Sequence, residues 1–241
     1  MKKIIYLQQD EKDIFQKYEY ENISDLNEEF KKRNITIGYN ASIGYSAKIG
    51  DMARIGDSAS IGYNVSIGNS AKIGALASIG DNAMIGDRAS IGYNVSIGDR
   101  AKIGDSARIG YNASIGDMAS IGDSASIGNS AKIGYSAKIG NIARIGDRAS
   151  IGDIAMIGDS ARIEKYNSFF AVNIYDYPCG AWIEEKKGEI IQLGCFTRTR
   201  KEWEDDFWNN KKEFPNDSSD KSNARLRAFK MCCNFLDLIK K

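Results

Sequence analysis

The densest group of side chains able to do chemistry lies late in the 241-residue sequence. Cys195, Phe196, Thr197, Arg198, Thr199 and Arg200 are followed by Trp203, Asp205, Asp206, Phe207 and Trp208. Guanidinium groups beside indole rings can hold a planar or anionic ligand through cation–π stacking and forked hydrogen bonds. The plainer reading, which the sequence favours, puts the rings in a core and the arginines in ion pairs with neighbouring carboxylates. Cys195 would need an activating base to act as a nucleophile. The chain has no histidine, so no catalytic residue is assigned. Its four cysteines, Cys179, Cys195, Cys232 and Cys233, show no C-x-x-C spacing. Without histidine they do not suggest a zinc site, and neither a metal nor a cofactor is expected.

A second group is Arg54, Arg108, Arg144 and Arg162, whose numbers differ by multiples of eighteen. That spacing belongs to a larger pattern. From Ile37 to Ile163 isoleucine stands at every sixth position, 22 times without exception. Glycine follows each one except the last, where Glu164 replaces it. Two residues before each isoleucine is a small residue, mostly alanine, with Val65 and Val95 as variants. The unit is I-G-x-x-A-x. In a three-residue strand A-x-I, Ala and Ile point one way and the middle residue the other. Glycine eases the bend, while Asp, Asn and Ser fill the turn. A helix is excluded, since no 3.6-residue period exists and each glycine would cost about 1 kcal/mol. So short a strand buries its apolar side only by stacking on its equivalent in the next coil, which is the signature of a solenoid. Each buried isoleucine then contributes roughly 1.5–3 kcal/mol.

The I-G-x-x-A-x run resembles the hexapeptide-repeat proteins. The resemblance implies a mainly β fold: a left-handed, three-sided parallel β-helix. Three hexads form an 18-residue coil, giving about seven coils and a prism roughly 34 Å long at the strand-stacking distance. It further implies a homotrimer of parallel prisms with grooves between them. Most relatives of this kind are acyltransferases that use a coenzyme A thioester and a histidine base, which suits the role because its pKa lies near neutrality. That residue has no counterpart here, and no loop interrupts the hexads. The metal-dependent carbonic anhydrase branch needs three histidine ligands and is excluded on the same ground.

Sorting the outward residues by eighteen gives three faces. One reads Ser42, Ser60, Ser78, Ser96, Ser114, Lys132 and Ser150; its small, almost uncharged surface suits docking against another prism or a terminal segment. The second mixes Lys48, Ser66, Met84, Lys102, Ser120, Lys138 and Met156. The third is basic, with Lys72 among its four arginines, and is a candidate site for phosphate or carboxylate groups. The acidic corner beside it, Asp51 to Asp159, is read as charge balance for that face. Tyr39, Tyr93 and Tyr111 follow it as exposed turn residues, or as stackers of a base.

Three segments result: a cap over 1–35, the repeat over 36–164 and an α+β domain over 165–241. In the cap, Ile4 to Tyr6 predict a strand and Ser24 to Arg33 a short helix. In the last segment, strands are expected at Phe169 to Tyr175, Ala181 to Glu184 and Glu189 to Thr197. Turns fall at Pro178 to Gly180 and Lys187-Gly188. A short helix covers Glu202 to Trp208, and a longer one runs from Asp220 to about Lys240, with Phe229, Cys232, Cys233, Leu236 and Ile239 on one face. The formal net charge of +1 speaks against nucleic acid as a partner. No signal peptide or membrane-spanning run is read, and the cysteine usage suits a cytoplasmic protein. The chain is thus expected to be a non-catalytic homotrimeric binding protein. It would sequester or sense an anionic, nucleotide-like ligand through Arg54, Arg108, Arg144, Arg162, Arg198, Arg200, Trp203 and Trp208, or serve as a scaffold for protein partners. The alternative is an acyltransferase that dispenses with histidine.

Overall fold

In the computed structural model, residues 2–9, 12–163, 170–172, 179–184, 187–194, 196–207 and 218–239 are described. The repeat forms 22 strands, one per hexad, β3–β24, from Thr36–Ile37 to Arg162–Ile163. Strands three hexads apart pair in parallel and build three sheets, one per prism face. The serine face is one sheet of seven strands, the basic face another of eight, and the mixed face belongs to a third. Register is strict: Ile79 stands between Ile61 and Ile97, and Ser78 between Ser60 and Ser96. Each coil bonds to the next at both ends of its strand. Ser42 N donates to Ala59 O at 2.9 Å and Gly44 N to Ile61 O at 2.8 Å. Alanine and isoleucine fill the interior and the middle residue faces out, as the period of two requires.

The corners correct one expectation. Glycine is not there for the bend. The residue in the left-handed region is the second after each glycine, at φ values such as 57° for Asn64 and 58° for Ser106. Asparagine tolerates this region best among non-glycine residues; β-branched side chains do not. Ile142 and Ile154 nevertheless occupy it, at φ 61° and 60°, which costs of order 1–3 kcal/mol each. Glycine is needed for space instead. A Cβ on Gly110 would lie 2.6 Å from Asn129 Oδ1 and 2.7 Å from Asn129 N in the next coil.

The acidic corner also has a structural task. Asp87 N donates to Asp105 Oδ1 at 2.8 Å, and Asp105 N to Asp123 Oδ1 at 2.9 Å. Each carboxylate reaches back one coil and satisfies a corner amide. Asn69, Asn129 and Asn141 accept in the same way, so Asp and Asn exchange freely where only Oδ1 is used. The corner carboxylates are therefore rungs between coils, a role independent of the neighbouring cations.

At the N-terminal end, β1 (Lys3–Gln9) pairs in parallel with β5 (Ala47–Ile49), placing Ile5 beside Ala47 and Leu7 beside Ile49. Both side chains are buried and continue the apolar column. β2 (Lys12–Tyr20), a strand the sequence reading missed, returns antiparallel on β1. α1 (Asn27–Lys32) follows a single 3-10 turn, Ile23–Leu26. Arg33 ties these pieces together: Nε donates to Gln8 O at 2.8 Å, Nη1 to Glu29 Oε2 at 2.6 Å and Nη2 to the Tyr18 hydroxyl at 2.9 Å.

Beyond the prism, β25 (Phe170–Val172), β26 (Cys179–Glu184), β27 (Gly188–Leu193) and β28 (Phe196–Thr199) form an antiparallel sheet. Of the expected turn at Pro178 to Gly180, Pro178 lies outside the described residues, and Cys179 and Gly180 are corrected to strand, paired with Leu193 and Gln192. The expected third strand is really two, because Gly194 at φ 67° starts a reversal. α2 (Arg200–Asp205) begins at a capping box in which Glu202 N donates to Thr199 Oγ1. α3 (Asp220–Ile239) packs on β26 and β27. Strand alternation divides the sheet between two cores. Cys179, Ala181, Ile191 and Leu193 face α3 and its Cys232 and Leu236. The cross-strand pair Trp182 and Ile190 joins the apolar column of the prism. No helix among the described residues is long and apolar enough to cross a membrane.

Candidate functional site

The four repeat arginines lie on one sheet and are exposed. Register decides how far they cooperate. Arg144 pairs directly with Arg162, one strand spacing or about 4.8 Å apart at the backbone. Ser126 separates Arg108 from Arg144. Lys72 and Ser90 separate Arg54 from Arg108. A single phosphate is within reach of the Arg144–Arg162 pair, and Arg54 stands three coils from Arg108.

Arg162 lines a cavity of about 260 Å³ where the last coil meets the C-terminal sheet, together with Asp159, Ser160, Trp182, Gln192 and Thr197. The sequence reading named Arg162 for an anion site on the basic face and did not foresee this cavity, because the contributions of Trp182 and Gln192 depend on how the sheet docks. A longer open groove of about 380 Å³ runs along the mixed face, lined by Ser66, Met84, Lys102, Ser120, Asp105, Asp123 and Asn141. Its outward column was visible in the eighteen-residue sorting. The corner residues that wall it were not assigned to it.

The C-terminal aromatic and arginine group is corrected more sharply. Trp203 is fully buried, and its Nε1 donates to Ile191 O at 2.9 Å. Arg198 and Arg225 lie over the Trp203 ring at 4.5 and 5.2 Å from its centroid. The indole is therefore occupied by the protein itself and is not open to a ligand. Arg200 donates to Asp237 Oδ1 at 2.5 Å, Glu204 Oε1 at 2.8 Å and Glu189 Oε2 at 3.4 Å. The Asp237 and Glu204 carboxylates raise its pKa further above the ordinary arginine value. These contacts tie β27, α2 and α3 together, the structural reading of this stretch. Trp208 lies outside the described residues, as does Cys195. Cys179, Cys232 and Cys233 are buried thiols. Hydrogen bonding with Cys179 and burial push the Cys232 thiol up, and burial pushes Cys233 up to about 11. Neither is a nucleophile near neutrality. Among the described residues no group of acidic, cysteine or histidine side chains is placed to hold a metal ion.

The family described as bacterial transferase hexapeptide (six repeats) matches residues 76–111. No curated protein matches the sequence. Among solved structures, the UDP-N-acetylglucosamine acyltransferase of Francisella novicida is similar over 61% of this chain and 62% of its own, with 26% identity and a TM-score of 0.54. The chain thus spans less than two thirds of that enzyme's length. LpxA from Acinetobacter baumannii is similar over 58% of this chain and 69% of its own, with 21% identity and a TM-score of 0.45. The unbroken hexads, the match of their central portion to the hexapeptide family and the shared solenoid of about seven coils fit a hexapeptide-repeat, left-handed β-helix protein.

Proposed function

We propose that this chain is a non-catalytic homotrimeric binding protein that acts as a scaffold for protein interaction, its prism a rigid spacer carrying the C-terminal unit. The observation that carries the reading is the lack of any histidine in a repeat whose hexads run uninterrupted from Ile37 to Ile163. A dedicated reaction centre needs a titrating base near neutral pH and a local departure from the repeat to surround a substrate. The burial of Trp203 and the ion pairs of Arg200 weigh against a nucleotide-like ligand at the C-terminal stretch. What remains for an anion is the Arg144–Arg162 pair beside the cavity of the last coil. Native mass spectrometry of the freshly purified protein tests this. A trimer without added mass is expected. A trimer retaining a small molecule of a few hundred daltons would replace the scaffold with a ligand-binding role, and a monomer would remove the assembly.

A second reading is supported by the likeness to the Francisella acyltransferase and by the groove that holds Lys102, Asp105 and Asp123. In it, acyl transfer from a thioester proceeds without histidine: a corner carboxylate takes the proton of the attacking group and passes it to the departing thiol, the C–S bond breaks as the new acyl bond forms, and Lys102 offsets the negative charge that develops on the thioester carbonyl oxygen. Asp105 and Asp123 already accept a backbone N–H through Oδ1, which leaves only their second oxygen for such work.

A further inference from the structure

Two parts of the chain meet at the cavity of about 260 Å³ beyond the last coil, and each supplies one wall. On the sheet side, strand alternation sets the lining. Trp182 pairs with Ile190 and Gln192 with Thr197, so Trp182, Gln192 and Thr197 share the face turned to the prism. The other wall is the final corner and strand of the repeat, with Asp159, Ser160 and Arg162. The buried part of the lining is apolar, since Trp182 and Ile157 are 7% and 6% exposed. The polar groups stand at the rim: Asp159, Arg162 and Thr197 are exposed and Gln192 is half-buried. Two of them are charged and unspent. Guanidiniums elsewhere between elements are saturated, Arg33 on Gln8, Glu29 and Tyr18, and Arg200 on Asp237, Glu204 and Glu189. Arg162 and Asp159 have no ion-pair partner among the described residues, and they do not pair with each other although three positions apart. Asp159 uses one oxygen as a corner rung, Oδ1 accepting Asn141 N at 2.7 Å, which leaves Oδ2. Gln192 Nε2 donates to Gly194 O at 2.9 Å, which leaves Oε1 as an acceptor.

We infer that this cavity binds a small zwitterion, an apolar α-amino acid. A plain anion would face the Asp159 carboxylate. A plain cation would face Arg162, with Arg144 on the strand beside it. A neutral polyol would leave both charges without a complement, and a zwitterion supplies one to each. The ligand carboxylate meets the planar fork of Arg162. An ammonium has three N–H donors, and Asp159 Oδ2, Gln192 Oε1 and the Thr197 hydroxyl are three acceptors for them. The apolar side chain lies against Trp182 and Ile157. The volume is below the roughly 300–1,000 Å³ of sites for drug-sized molecules and suits one amino acid with a ring or branched side chain. The inference goes beyond the scaffold reading and does not need the homotrimer, because both walls belong to one chain. A ligand this small binds in the millimolar to high-micromolar range and leaves during purification, so a trimer without added mass is still expected. Its contacts reach the prism and the C-terminal sheet together, so occupancy fastens one to the other.

Equilibrium dialysis of the full-length protein tests this. The bath holds the twenty common amino acids in equal amounts, with 3-phenylpropionate and 2-phenylethylamine, which lack the ammonium and the carboxylate of phenylalanine. Mass spectrometry reads each compound on both sides of the membrane. With the chain at about 0.5 mM, a Kd of about 1 mM or tighter raises a compound at least about 1.5-fold on the protein side. Aromatic or branched amino acids should rise, and glycine and the two analogues should not. Arg162→Gln and Asp159→Asn should each weaken uptake at least about tenfold. Both side chains are exposed, and asparagine keeps the corner rung, as Asn141 does one coil earlier, so both variants should fold. Arg54→Gln, on the same face at the far end of the prism, should leave uptake unchanged. No enrichment of any amino acid overturns the inference. Enrichment of 3-phenylpropionate equal to that of phenylalanine overturns the zwitterion in favour of a plain anion. Uptake that survives both cavity variants, or that falls equally in Arg54→Gln, overturns the location. A monomer in native mass spectrometry would remove the proposed assembly and leave this site untouched.

Discussion

Replacing Gly110 and Gly152 by alanine, one at a time, should give changes in stability of opposite sign. Both glycines stand at the same step of the hexad, and neither has positive φ, so the backbone of each accepts alanine. They differ in what lies beyond them. At Gly110 the new Cβ would meet Asn129 Oδ1 at 2.6 Å and Gly128 C at 2.7 Å, so the neighbouring backbone must move. At Gly152, in the last coil, nothing among the described residues lies within 4 Å. Forcing an extra carbon into a packed site costs about 1–3 kcal/mol. Alanine at a compatible open site gains about 0.4–1 kcal/mol by narrowing the unfolded ensemble. The two variants should therefore differ by about 1.5–4 kcal/mol, a separation of roughly 0.5 M or more in urea midpoint for ordinary slopes. Urea titration followed by far-ultraviolet circular dichroism reads it. Equal effects at both sites would refute the view that glycine serves coil-to-coil clearance, and would return its role to the bend.

Asp105→Asn should be almost neutral, since Oδ1 still accepts the Asp87 amide, whereas Asp105→Ala should cost about 1–2 kcal/mol in the same titration. Trp203→Phe should destabilise the C-terminal unit by about 1–3 kcal/mol, because the Ile191 carbonyl loses its donor inside a core; the loss of near-ultraviolet signal with urea reports it. Glu29 is held down to about pKa 2 by hydrogen bonds from Lys32, Arg33 and Tyr18. Its folded pKa is depressed, so its contribution is present above about pH 4.5 and is lost as pH falls towards 2. The protection factors of the β1 and β2 amides, taken relative to the intrinsic exchange rate at each pH, should therefore fall on acidification, and Glu29→Gln should remove the part of that slope due to this carboxylate.

The solenoid was legible because its period is short and exact to the residue. Alternation placed Ala and Ile inside, and counting by eighteen placed each outward side chain on its face. What the count could not supply was the distance between neighbouring corners. The clearance at Gly110 and the amide bonded by Asp105 both arise between residues eighteen apart, and a local reading assigned those types to turns and charge balance. The hairpin strand β2 was missed because Lys12 to Tyr20 mixes charges with aromatics. The Arg–Trp stretch was ambiguous in principle, since a guanidinium over an indole serves a ligand or a core equally well. Only the docking of α3 onto β26 and β27, which brings Arg225 to 5.2 Å from the Trp203 ring centroid, shows that the ring is enclosed.

The most direct test of the non-catalytic account is a turnover measurement. Purified protein is incubated with acetyl and longer acyl thioesters of coenzyme A or of an acyl carrier protein, together with UDP-N-acetylglucosamine, and products are followed by mass spectrometry. The account predicts no acylated product above the uncatalysed background. Product that forms with turnover, and that is lost in a folded Lys102→Ala variant of the mixed-face groove, would contradict it and establish the second reading.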